Sequence, residues 1–93
     1  MIRSFGNELT LQVFEGRTID GFPVETLQRA LVKLQMIHAA TELRDLESVA
    51  SNKLELLGGQ RHGKHCICVD EHARVCFRWD RGHAYDVELF GYH

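Results

Sequence analysis

The second half of the chain alternates between apolar and polar residues in three short runs, and this pattern constrains the fold most strongly. The runs cover residues 65–69, 73–79 and 84–90, with Asp70-Glu71-His72 and Arg81-Gly82-His83 between them. Period-two alternation places successive side chains on opposite faces of a strand, so each run predicts a half-buried strand. Because such short loops join antiparallel neighbours, the sequence predicts an antiparallel sheet with one apolar face.

Matching the apolar faces fixes the parity of strand pairing, since a slip of one residue would invert a whole strand. Three-residue loops then predict four cross-strand pairs: Cys66 with Cys76, Cys68 with Arg74, Arg78 with Asp86, and Cys76 with Glu88. The apolar face of the last strand is expected to carry Tyr85, Val87 and Leu89. The opposite face carries Arg74 and Arg78 and, where the strand continues, Tyr92, so this polar, cationic face is the candidate site.

Helices are predicted upstream of the sheet. The strongest pattern covers residues 23–39, where Pro23 suits a first turn and apolar residues recur every three or four positions. That stripe consists of Val24, Leu27, Leu31, Leu34 and either Ile37 or His38. Shorter helices are expected over 8–15, capped by Asn7, and over 41–46, with Thr41 as a cap. Residues 2–5 suggest an edge strand.

These elements predict one α+β domain spanning residues 1–93, with N-terminal helices packed on one face of a mainly antiparallel sheet. The 44% hydrophobic and 26% charged residues are typical of a globular protein. No apolar run reaches the length of a membrane span and no signal pattern opens the chain, so we expect a cytoplasmic protein that does not bind a membrane.

The charge and the cysteine content indicate which ligands and which class of protein are compatible with the sequence. A formal charge of −2 gives no global electrostatic argument for nucleic acid, but residues 53–65 form a local basic patch. Its basic residues are Lys53, Arg61, His62, Lys64 and His65, against Glu55 alone. Three cysteines are an odd number without framework spacing, which argues against a secreted disulfide scaffold.

The cysteines also raise the question of a metal site. Cys66 and Cys68 share a strand face, near Cys76, but zinc sites favour Cys-x₂₋₄-Cys knuckles on turns. Small buried thiols are therefore the preferred interpretation, and we expect no metal ion and no cofactor. In a reducing compartment Cys66 and Cys76 are expected to be free thiols that air could oxidise to a bridge.

Several blocks of the sequence, in order along nearly the whole chain, resemble the HigB branch of the RelE superfamily of toxins. They are residues 1–5, 40–46, 52–59, 61–63, 74–79 and 87–93. The resemblance implies a microbial-ribonuclease-like sheet with helices on one side. It also implies a type II toxin that cuts messenger RNA in the ribosomal A site, and a HigA-like helix-turn-helix antitoxin through which alone it reaches operator DNA.

The family pattern suggests roles for individual residues. Cleavage through the 2′-hydroxyl needs a base, an acid and a cation for the phosphate, but no metal. We assign Glu55 as general base, His93 as general acid and Arg74 as phosphate clamp, a set similar to that of the YoeB branch. Tyr92 would stack on a base or orient it, and the expected RNA contacts are Lys53, Arg61, Lys64 and Arg78.

Each catalytic residue also has an ordinary structural interpretation. Glu55 could be a solvated glutamate, His93 a frayed terminal residue, and Arg74 an ion-pair partner of Glu88. The chain also departs from the family: Gly91 stands where many members have aspartate, and Ala73 where many have an aromatic residue. Hence a second hypothesis, a catalytically weak homologue that acts mainly as an antitoxin-binding module and tunes operon repression.

Overall fold

The computed structural model of the protein describes residues 1–57 and 63–91, and the sheet and helices within them confirm the α+β prediction. The helices are α1 (Glu8–Phe14), α2 (Val24–Ala39), α3 (Leu43–Glu47) and a short 3₁₀-helix (Ala50–Asn52). The strands are β1 (Glu55–Leu57), β2 (Lys64–Asp70), β3 (Ala73–Asp80) and β4 (His83–Gly91), paired antiparallel in that order. In the described residues, no helix is long and apolar enough to span a membrane.

Helix α2 supplies most of the helical side of the core. Leu27, Ala30, Leu34 and Ile37 are buried at helical spacing and join one hydrophobic cluster with the inner face of the sheet. The sheet contributes Ile67, Val69, Val75, Phe77, Ala84, Val87 and Leu89. The prediction for Val24 is wrong, because this first residue of the helix remains 60% exposed.

The N-terminal segment is anchored to the free edge of β4. Ile2 and Phe5 form isolated parallel bridges with Ala84 and Val87, so residues 2–5 lie at the sheet edge as predicted but do not form the predicted strand. The Asn7 side chain caps α1 by accepting a hydrogen bond from the Thr10 backbone N–H at 2.9 Å. The buried Thr10 hydroxyl in turn accepts the Leu89 N–H at 2.9 Å, which ties α1 to β4.

Helix α3 begins differently from the prediction. Glu42, not Thr41, is its N-cap residue, and the helix covers Leu43–Glu47. The Asp45 carboxylate accepts the backbone N–H groups of Thr41 and Glu42, each at 3.0 Å. These two backbone hydrogen bonds, Glu42 first, lower the pKa of Asp45, because they favour its charged form.

The register of the sheet confirms three of the four predicted pairs. Cys66 lies opposite Cys76, Cys68 opposite Arg74, and Cys76 opposite Glu88. The fourth prediction is wrong, because Arg78 pairs with Tyr85 and not with Asp86. The structure therefore also corrects the predicted parity of the N-terminal half of β4.

The change in pairing between β3 and β4 has two linked causes. The β3–β4 hairpin turns through two residues, Arg81 and Gly82, both with positive φ (50° and 83°), which suits a tight hairpin turn but shifts the pairing by one residue. A bulge at Asp86, with φ of 54°, then restores the parity. As a result Ala84, Val87 and Leu89 face the core, and Tyr85 faces the opposite side.

His65 lies at the junction between the basic patch and the core. Its ring stacks on Phe77, with centroids 6.2 Å apart and planes inclined by 22°. Burial lowers the pKa of His65, although a backbone hydrogen bond with Gly63 opposes the shift. The prediction that His65 adds a cation to an RNA-binding patch is therefore not supported, because the neutral imidazole is favoured.

A lowered pKa for His65 predicts an acid-sensitive stability. The folded protein resists protonation of this ring, whereas the unfolded chain takes up the proton near pH ~6.5. The free energy of unfolding should therefore be highest above that pH and decrease as the pH falls through it. Substituting His65→Phe should make this decrease shallower, as measured by urea denaturation at successive pH values. Parallel curves for the two proteins would contradict this.

Candidate active site

The face of the sheet opposite α2 carries the candidate site in three cross-strand rows. One row holds Lys64, Arg78 and Tyr85; the next holds Glu55, Cys66, Cys76 and Glu88; the third holds Cys68, Arg74 and Phe90. Adjacent rows are two residues apart along β3, or about 6.6 Å. The face therefore combines cations, two carboxylates in its middle row and sulfur atoms.

Glu55 and Arg74 meet across the middle strand of this face. The carboxylate Oε1 lies 3.7 Å from the guanidinium Nη1, although the residues belong to β1 and β3. Their side chains remain 61% and 57% exposed, so water competes with the pair and its contribution to stability is small. Among the described residues Arg74 pairs with Glu55 and not with Glu88, so the expected ion pair has a different partner.

The segment before Glu55 is held by a buried asparagine. The Asn52 side chain is fully buried, donates to the Leu46 carbonyl at 2.9 Å and accepts from Lys33 Nζ at 2.6 Å. Lys53 follows with a left-handed φ of 46°, and this turn leads the chain into β1. The position of the Glu55 carboxylate thus depends on hydrogen bonds to α2 and α3 rather than on β1 alone.

Lys53, Glu55 and Arg74 line one open cavity of about 750 Å³. The structure therefore brings together three of the predicted site residues. The cavity wall also includes Cys68, His72 and Phe90, which the sequence analysis did not assign to the site. The predicted register already placed Cys68 opposite Arg74, and His72 lies in the turn next to Arg74, so the pairing pattern was the signal that could have found both.

The remaining predicted residues divide into two groups. Lys64 and Arg78 face each other at the opposite end of the sheet, outside this cavity. Arg61, Tyr92 and His93, together with His62, lie outside the described residues.

The cysteines of the open face are arranged as the register predicts, but two are joined. Cys66 and Cys76 form a disulfide, with Cα atoms 4.1 Å apart, so the structure has a bridge where free thiols were expected. Both are buried, whereas Cys68 is a half-buried free thiol that donates a hydrogen bond to the Asp70 carbonyl at 3.3 Å. Within residues 1–57 and 63–91, no group of three His, Cys, Asp or Glu side chains is placed to hold a metal ion.

The two departures from the family pattern face each other. Ala73 and Gly91 pair in register at the edge of the cavity, where β4 approaches the β2–β3 turn closely. A Cβ atom on Gly91 would overlap the His72 carbonyl oxygen and lie 2.8 Å from Ala73 Cα. Gly91 also has a φ of 124°, which L-residues rarely adopt. Glycine at this position is therefore a requirement of the local backbone.

Comparison with known proteins gives matches over the whole fold. Residues 3–93 match the HigB-like toxin family, described as the RelE-like toxin of the type II toxin–antitoxin system HigB. A curated relative, Endoribonuclease HigB of Proteus vulgaris, is 33% identical over 93 residues, which is 100% of both chains. A crystal structure of a YafQ mutant from E. coli superimposes with a TM-score of 0.63 at 14% identity, covering 100% of this chain and 92% of that one.

Because β4 approaches the β2–β3 turn closely, the structure predicts that placing the family's aspartate at position 91 destabilises the protein. Substituting Gly91→Asp should lower the free energy of unfolding, because the side chain adds a clash to a backbone strain of about 1–3 kcal/mol. Gly16→Asp is the matched control, since Gly16 also has a positive φ (86°) but no atom of residues 1–57 or 63–91 lies within 4 Å of its added Cβ. Thermal denaturation should show the larger loss for Gly91→Asp, and equal losses would contradict this explanation.

Proposed function

The chain belongs to the HigB-like family of RelE-like toxins of type II toxin–antitoxin systems and is on that basis an endoribonuclease, and we propose that it cuts messenger RNA in the ribosomal A site. Cleavage would proceed by attack of a 2′-hydroxyl and use side chains alone, without a metal ion. The observation that carries this proposal is the exposed Glu55–Arg74 pair in an open cavity. It combines a proton acceptor with a cation that does not lose its proton.

The contact between Glu55 and Arg74 is weak enough to be replaced by contacts with the substrate. Its 3.7 Å separation is a loose contact on a solvated surface, which contributes at most about 1 kcal/mol. A phosphodiester offers Arg74 two oxygens in the geometry that a guanidinium fork prefers. Binding of RNA would thus draw the guanidinium to phosphate and leave the Glu55 carboxylate available as a base.

The proposed reaction balances as a transesterification. Glu55 takes the proton of the 2′-hydroxyl as the 2′-oxygen bonds to phosphorus, and Arg74 stabilises the charge on the pentacoordinate phosphate. The bond from phosphorus to the 5′-oxygen breaks, and His93 gives its proton to that oxygen. The products are a 2′,3′-cyclic phosphate and a 5′-hydroxyl. Tyr92 would orient or stack the adjacent base.

The net charge of the chain does not favour RNA binding, but lysine and arginine side chains in and near the cavity do. Lys53 lines the cavity itself, and Lys64 and Arg78 extend the cationic surface along β2 and β3. Arg61 would add to this patch. Because ribosome-bound message is the proposed substrate, the proposed location is the cytoplasm.

A toxin of this kind has an antitoxin partner. We propose that the partner is a HigA-like helix-turn-helix protein, and that the toxin reaches operator DNA only through it. The second candidate function is a weak enzyme that acts mainly by binding this antitoxin. The Ala73–Gly91 pair favours that alternative, because neither residue offers a functional side chain at the rim of the cavity.

Glu55 and Arg74 provide the direct test. Glu55→Gln should slow cleavage of ribosome-bound message by about 10²–10⁴-fold, as expected for loss of a general base. Arg74→Lys should also slow it, because lysine keeps the charge but loses the fork. Both variants should retain wild-type thermal stability, because the pair is exposed. Cleavage would be followed by primer extension at matched protein concentrations.

The Arg17–Glu15 pair is the matched control. It has a similar separation of 3.4 Å and similar exposure, but it lies after α1, away from the cavity. Glu15→Gln and Arg17→Lys should therefore leave cleavage unchanged. If the Glu55 and Arg74 variants cleave as fast as these controls, the pair is not part of the mechanism, whereas negligible cleavage by the wild type itself would favour the binding-module alternative.

His93 is tested separately. If it protonates the leaving 5′-oxygen, His93→Ala should reduce cleavage by about 10²–10⁴-fold and relieve growth inhibition. Antitoxin binding and thermal stability should stay near wild type, which distinguishes a lost acid from a misfolded protein. Equal cleavage rates for wild type and His93→Ala would remove His93 from the mechanism.

A further inference from the structure

The bulge at Asp86 turns an aromatic ring toward the open face of the sheet. Tyr85 follows the buried Ala84 and precedes the bulged Asp86, so its side chain lies opposite Arg78 and not in the core. β3 itself has no extra residue there, and Arg74 and Arg78 keep the same side of the sheet. The bulge therefore places a ring beneath a cation on the substrate-facing surface.

Arg78 is held at two points. Its Cζ atom lies 4.7 Å from the centroid of the Tyr85 ring, and its Nε lies 3.7 Å from Asp86 Oδ2. Asp86 is itself fixed by Ser4, whose hydroxyl accepts the Asp86 N–H at 2.8 Å and donates to Oδ1 at 3.5 Å. The Arg78 side chain nevertheless remains 45% exposed. The guanidinium is thus ordered from below and from one edge, with its outer side open to solvent.

This arrangement suits a flat ligand better than a phosphate. Asp86 offsets part of the charge of Arg78, which weakens its attraction for an anion. A guanidinium plane stacked on an aromatic ring is, however, a surface on which unpaired nucleobases stack. We infer that Arg78, ordered by Tyr85 and Asp86, is a stacking platform for an unpaired base of the RNA substrate, a role that rests on the proposed function.

The platform lies beside the cleavage site and not within it. Arg78 is four residues from Arg74 along β3, which corresponds to about 13 Å. Lys64, paired with Arg78 on β2, is placed to meet the backbone phosphate of the same nucleotide. The stacked base would therefore belong to a nucleotide flanking the cut phosphodiester, and its loss should affect binding of the message more than the chemical step.

An abasic scan of the message tests this inference. A single abasic nucleotide is moved along the positions that flank the cut in ribosome-bound message, and cleavage is measured for each. For the wild type, one position should raise KM by about 5- to 150-fold, the range expected for loss of one stacked base, with kcat little changed. Arg78→Lys and Tyr85→Leu should raise KM for intact message by a similar factor and be insensitive to the abasic change at that position.

Two variants control for charge and folding. Arg44 lies on α3, outside the cavity, and its Nε is 3.8 Å from the Glu42 carboxylate. Arg44→Lys should therefore behave as wild type. Tyr85→Phe keeps the ring and should keep the wild-type abasic profile, and wild-type thermal denaturation of Tyr85→Leu shows that its effect is not a folding defect. Wild-type KM in Arg78→Lys would mean that only the charge of Arg78 matters, and would overturn the platform.

The outcomes separate this inference from the proposed function. If the wild type cleaves intact message but the scan shows no sensitive position, the platform is wrong and the nuclease stands. If Arg78→Lys and Tyr85→Leu weaken antitoxin binding and leave the abasic profile unchanged, the surface contacts protein and the inference is also wrong. If the wild type does not cleave message at all, both the proposed function and the platform fall.

Discussion

Burial of one face of the sheet against α2 decides which side chains remain available for chemistry. Phe77, at the centre of that face, is fully buried, and residues at odd positions of β2 and β3 must follow it inward. Because strand side chains alternate, Arg74 and Arg78 must then lie on the outer face. The candidate catalytic surface is thus a consequence of core packing, and it needs no separate folding signal.

Sequence reasoning succeeded where side-chain pattern alone controls the geometry. The alternation in β2 and β3 predicted that Cys66 meets Cys76 and that Cys68 meets Arg74, because an inverted register would bury two arginines. It failed in β4, where a backbone change intervenes. A two-residue turn and a bulged Asp86 each shift the parity by one, and together they leave Val87 and Leu89 inside while moving Tyr85 outside. Aspartate tolerates positive φ, but nothing in its neighbours marks it as the bulge.

The candidate site could be predicted only in part for a similar reason. Arg74 follows from the register, but the approach of Glu55 depends on the turn that places β1 beside β2. That turn rests on a buried Asn52, which accepts from Lys33 and donates to the Leu46 carbonyl. Hydrogen bonds between residues so distant in sequence leave no periodic trace. Glu55 could be assigned only by resemblance to a family, whereas Arg74 could be placed by physical argument as well.

Gly91, which pairs with Ala73, shows that a departure from a family pattern can follow from the local backbone. An aspartate at position 91 would need space that the close approach of β4 to the β2–β3 turn removes. Beside Gly91 the cavity is lined by Glu71, His72 and Phe90. Whatever orienting contact an aspartate supplies elsewhere must here come from other groups. The Glu55–Arg74 pair lies in the same cavity, with Arg74 paired in register to Phe90 of β4, and is the candidate for that positioning role.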